Sequence, residues 1–85
     1  MDDPNRERMA ALIDAVLAEK LSPSDAVVAA EQLPAIVWEN AEIREAYHEL
    51  NHFRDDEDIR SRDPAYAHHQ RETLKRLRMR LSGRK

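Results

Sequence analysis

The chain contains no cysteine, which excludes a disulfide framework, a thiolate metal site and a cysteine nucleophile. Its single glycine stands at position 83, so it has no glycine-rich loop of the kind that cradles phosphates. Aromatic residues are few: one Trp, one Phe and two Tyr, too few for a platform that stacks bases. The longest apolar run, Leu33 to Trp38, falls far short of the roughly 20 residues that cross a bilayer. The opening Met1-Asp2-Asp3-Pro4 has no basic-then-apolar signal pattern, so the expected location is cytoplasmic. No Ser/His/Asp constellation is present, and the expectation is a non-enzymatic protein.

Eighty-five residues suffice for one domain, spanning 1–85, with a small core. Large apolar side chains are sparse and twelve residues are Ala, so homodimerisation would be a natural supplement to stability. Scarce Gly, four Pro and abundant Ala, Leu, Glu and Arg favour helix throughout. The net charge of −3 hides a lopsided distribution. Residues 1–63 hold 16 acidic and 7 basic side chains (−9), whereas 64–85 hold 1 acidic and 7 basic (+6). Such polarity fits a basic tail for an acidic partner, or a basic helix lying on the acidic part of its own fold.

Local signals punctuate four helices. Asp3-Pro4 opens the first, and Met9, Leu12, Ile13, Val16, Leu17 and Leu21 form one apolar stripe. Ser22-Pro23-Ser24-Asp25 ends it and starts the second, with Ser22 as cap, Asp25 closing a capping box and a small-residue face of Ala26, Val27, Ala30 and Leu33. Pro34 interrupts that helix, and 35–38 fits either a last helical turn or an extended connector. Asn40 caps a third helix with Ile43, Ala46, Tyr47, Leu50 and Phe53 on its apolar side. Arg54 to Arg62 reads as a charged connection, whose run Asp55–Asp58 lacks the alternating oxygens and central Gly of a calcium loop. A fourth helix runs from Asp63-Pro64 to a stop at Gly83, with Ala67, Gln70, Leu74, Leu77 and Leu81 as its seam. The expected fold is an all-α bundle of three to four short helices ending in an antiparallel helical hairpin.

His48-Glu49-Leu50-Asn51-His52 matches His-Glu-x-x-His and over these five residues resembles the active-site helix of zinc peptidases. The resemblance implies His48 and His52 as zinc ligands and Glu49 as general base on a metal-bound water. On a helical wheel these histidines fall nearly opposite Ile43, Ala46, Leu50 and Phe53, on the solvent face. No third ligand follows at a recognisable spacing, since Phe53-Arg54-Asp55-Asp56 comes next. His48/His52 with His68/Glu72 also resembles the di-iron bundle of hemerythrins, and Glu45-x-x-His48 with Glu49-x-x-His52 resembles ferritin-like carboxylate bundles. Those sites project into the bundle, whereas here all four groups lie opposite their seams. The favoured reading is an ordinary surface helix without cofactor, and the zinc-dependent hydrolase is the alternative.

Arg71, Lys75, Arg76, Arg78, Arg80, Arg84 and Lys85 form a basic flank that suits phosphates or an acidic partner. The acidic total and a pI near 5.8 weigh against nucleic acid, and polyanion binding is a second alternative. Trp38, with Ile36 and Val37, is expected in the core, and if exposed it is an interface anchor. The reading as a whole is a small intracellular protein–protein interaction or regulatory module. Its expected contact residues are Ile36, Val37 and Trp38, with Arg71, Lys75, Arg76, Arg78 and Arg80.

Overall fold

In the computed structural model, which describes residues 4–82, the capping signals set most of the helix boundaries. The expected cap Asp3, the stop Gly83, and Arg84 and Lys85 lie outside the described residues. Helix α1 spans Pro4–Leu17, α2 Pro23–Glu31, α3 Ala41–Asp55, α4 Glu57–Arg62 and α5 Pro64–Leu81, with a 3-10 turn at Ala35–Glu39. Ser22 Oγ accepts from the Asp25 amide, Asn40 Oδ1 from Glu42 and Ile43, and Asp63 Oδ1 from Tyr66. Each cap thus satisfies amides that the first helical turn leaves without a partner.

Three features depart from the sequence expectation. The described residues form five α-helices and a 3-10 turn instead of three to four helices. The segment read as a charged connection contains α4, which buries no residue and so carries no apolar period to reveal it. Its Arg60 anchors it instead: the guanidinium donates to Phe53 O and to Gln70 Oε1 (3.0 Å) and lies 3.6 Å over the Phe53 ring. Helix α1 also stops at Leu17, four residues short of Leu21. The Lys20 amide reaches back to Ala15 O (2.9 Å) and the Glu19 amide to Val16 O (3.1 Å), while Glu19 takes the left-handed φ of 59°. That pattern is a Schellman cap, with glutamate where glycine is usual.

Helix α5 lies between α1 and α3 and runs antiparallel to both. Its C-terminal Arg80 meets Glu42 and Glu45 early in α3, while Gln70 meets Asp56 beyond the end of α3. Arg6 of α1 donates to the carbonyls of Leu81 (2.9 Å) and Arg80 (2.6 Å), and Arg71 donates to Leu17 O at the far end of α1 (2.6 Å). One apolar core results. Met9, Ile13 and Val16 of α1, Ala26, Val27 and Ala30 of α2, and Ile43, Ala46, Leu50 and Phe53 of α3 close on Leu74, Leu77 and Leu81 of α5. The expected antiparallel pairing of the acidic and basic helices is therefore present, with α4 as its corner. Gln70, the one buried polar residue among the described residues, is satisfied by Arg60, Asp56 and Tyr66 (3.3 Å), which also closes that corner.

Candidate interaction surfaces

The His48-Glu49-x-x-His52 motif sits on the outer side of α3. His48 and His52 are exposed and Glu49 is half-buried. All three help line a 370 Å³ groove between α3 and α5, opposite Thr73, Arg76 and Arg80. His52 and Glu49 also border a neighbouring 290 Å³ groove with Asp56, Tyr66 and His69. His68 and Glu72 border neither of these two grooves, so the hemerythrin-like quartet does not assemble there. Among the described residues no three of His, Asp and Glu are placed to share a metal ion. The surrounding carboxylates are engaged elsewhere: Glu45 pairs with Arg80 (3.0 Å), and Asp56 Oδ2 accepts from Tyr66 (2.6 Å) and Gln70 (3.0 Å). Two imidazoles one turn apart would leave a zinc ion largely hydrated.

Much of the basic flank of α5 is turned onto the protein itself. Arg78 pairs with Asp14 of α1 (3.0 Å), Arg80 with Glu45 and Glu42 of α3, and Lys75 with Glu72 (2.9 Å). Glu42 is shared with Arg6 at 2.6 Å, and the two guanidiniums hold its carboxyl below the usual range, Arg6 foremost. Lys75 likewise draws down Glu72. Arg76 makes one long bond, to Thr73 Oγ1 (3.4 Å), and is exposed.

The Ile36-Val37-Trp38 stretch is divided by its own geometry. A 3-10 turn has three residues per turn, so successive side chains point about 120° apart and only one can face the core. Val37 takes that slot at 3% exposure, and Ile36 stands out at 62%. Trp38, expected in the core, is half-buried: its indole meets Tyr47 edge-on at 4.9 Å between centroids. Tyr47 in turn donates to Glu31 at 2.6 Å, a bond that raises the pKa of its phenol, and Arg44 donates to Trp38 O (2.6 Å). The turn is thereby fastened to α3, which the Tyr47–Glu31 bond ties in turn to α2. Nothing in the sequence announces the Glu31–Tyr47 bond, which joins residues 16 apart with no local period.

A third surface escaped the sequence reading altogether. A groove of 570 Å³ opens between the α1–α2 turn, α4 and α5. Its lining includes Val16, Leu21, Phe53, Arg60, Ala67 and Arg71, drawn from segments too far apart in sequence to signal one another.

The fold and these surfaces define a compact all-α domain with no metal cluster among its described residues. Comparison with protein-family models, curated proteins and solved structures finds no match.

Proposed function

We propose that this chain is a non-enzymatic protein–protein interaction module of the cytoplasm, with the 3-10 turn as its principal contact. The observation that carries the reading is Ile36, 62% exposed on a turn pinned beneath by Val37 at 3%. An apolar side chain offered on a rigid support loses little conformational freedom on binding, which is how anchor residues act. The exposed edge of Trp38 extends the apolar contact, and Glu31 and Arg44 give it a polar rim. Arg76 and Lys75 on α5 provide a weaker, charged contact, and Arg71, Arg78 and Arg80 serve first to hold the fold.

A photo-crosslinking residue at position 36 tests this in cells, with one at exposed Ser24 as control. The expected result is a discrete product from position 36 alone, lost when Trp38 is replaced by Ala. Ile36→Asp should leave thermal stability within about 0.5 kcal/mol, as exposed substitutions do, and abolish co-purification of the crosslinked partner. Co-purification untouched by Ile36→Asp would remove the turn from the interface. Sedimentation of both variants shows whether the partner is a second copy of the chain.

A further inference from the structure

The 570 Å³ groove falls within the roughly 300–1,000 Å³ typical of small-molecule sites. Leu21 and Ala67, with the small exposed edges of buried Val16 and Phe53, give it an apolar surface, and Arg60 and Arg71 bring guanidiniums from α4 and α5. What sets these two cations apart is that both line this one groove, since Arg8, Arg44, Arg62 and Arg76 also bond neutral oxygens. Arg6, Arg54, Arg78 and Arg80 each pair with a carboxylate. Arg60 and Arg71 bond only neutral oxygens, those of Phe53 and Gln70 for the first and of Leu17 for the second. Each side chain uses one nitrogen in doing so, and a guanidinium carries five N–H donors, so donors remain on both.

Glu19, Glu57 and Lys20 also line the groove, and neither glutamate reaches ion-pairing distance of Arg60 or Arg71. Three cations against two anions favour a single negative charge over a dianion. Burial of Arg60 lowers its pKa, and the nearby charges of Glu57 and Asp56 act in the opposite direction.

We propose that this groove binds a small amphiphilic monocarboxylate. Its apolar body would lie chiefly on Leu21 and Ala67, against the edges of Val16 and Phe53, and its carboxylate would bridge Arg60 and Arg71. The bridge is a pair of charge-assisted hydrogen bonds formed in a partly desolvated setting, where they are strongest.

Octanoate, 1-octanol and acetate separate the two halves of this recognition, read by amide chemical shifts of the full chain. Octanoate should saturate one site, with shifts centred on Leu21, Arg60, Ala67 and Arg71. Octanol should bind there well over tenfold more weakly, since it forms neither charged bond, and acetate should not saturate. Arg71→Gln should weaken octanoate about tenfold, the scale of one lost charged hydrogen bond, and leave octanol unchanged. Ala67→Leu, which fills the groove and removes no polar group, should block both. Octanol binding as tightly as octanoate, saturable shifts centred elsewhere, or no saturable octanoate binding would each overturn the proposal. The wild-type comparison needs no variant to fold.

Discussion

Glu19 is the residue whose backbone works against its side chain. A left-handed conformation costs a residue with a Cβ about 1–2 kcal/mol, and glycine avoids that cost at the expense of a floppier unfolded chain. Glu19→Gly is therefore expected to stabilise the domain by about 0.5–1 kcal/mol, a rise in Tm of a few degrees at this size. A thermal melt that falls would mean that the Glu19 side chain holds the α1–α2 turn. Glu42 ties stability to pH. Arg6 and Arg80 depress its folded pKa, so its contribution is complete above the unfolded carboxyl range and is lost as pH falls through the lower folded value. Glu42→Gln should accordingly lower the urea midpoint at pH ~7 and approach the wild type as pH falls below the ordinary carboxyl range. Tyr66 acts at the other extreme: its bond to Asp56 raises the phenol's pKa, so that contribution holds below pH ~10 and disappears above.

Among the elements, α5 carries the most structure, because its seam serves α1 and α3 at once. Leu74 is fully buried and Leu77 nearly so at 6% exposure. Truncation of either to Ala should cost about 2–5 kcal/mol, with Leu74 the larger. Chemical denaturation midpoints equal to wild type would show that the core lies elsewhere. This seam was legible in the sequence because Gln70, Leu74, Leu77 and Leu81 repeat at the spacing a helix requires, and Ser22, Asn40 and Asp63 announced their helices by cap chemistry. What was not legible shares one cause, the lack of a local pattern. Helix α4 is polar on every side, the 3-10 turn is too short for a period, and the α1 stop uses a glutamate where glycine would signal the end. For the site residues the wheel placed His48 and His52 on the solvent side, where they are, but could not foresee the groove that α5 forms beside them. Zinc titration should show only weak binding to the pair. His48→Ala combined with His52→Ala should leave the melting midpoint of chelator-treated protein within the ±0.5 kcal/mol typical of surface changes.

At the scale of the whole molecule, the unequal charge of the two halves is largely an internal matter. The acidic first part and the basic last part face each other as α1 and α3 against α5, joined by Arg6, Glu42, Glu45, Arg78, Arg80 and Asp14. A cationic surface that is already paired has few counterions to release onto a polyanion. Binding to single-stranded nucleic acid should thus be weak, with a log–log salt slope no steeper than about −2. A slope near −5 would mean that these pairs open to take phosphates.

Arg6 reaches across to the last carbonyls of α5, so the start of α1 and the finish of α5 leave the bundle side by side, at the end where α3 begins. A unit whose entry and exit adjoin can be spliced into a surface loop of an unrelated host without prising that loop apart. The same adjacency permits a short linker to join the two ends and new ones to be cut elsewhere. The 3-10 turn directly precedes α3, so such a cassette would carry its contact toward the end at which it is grafted.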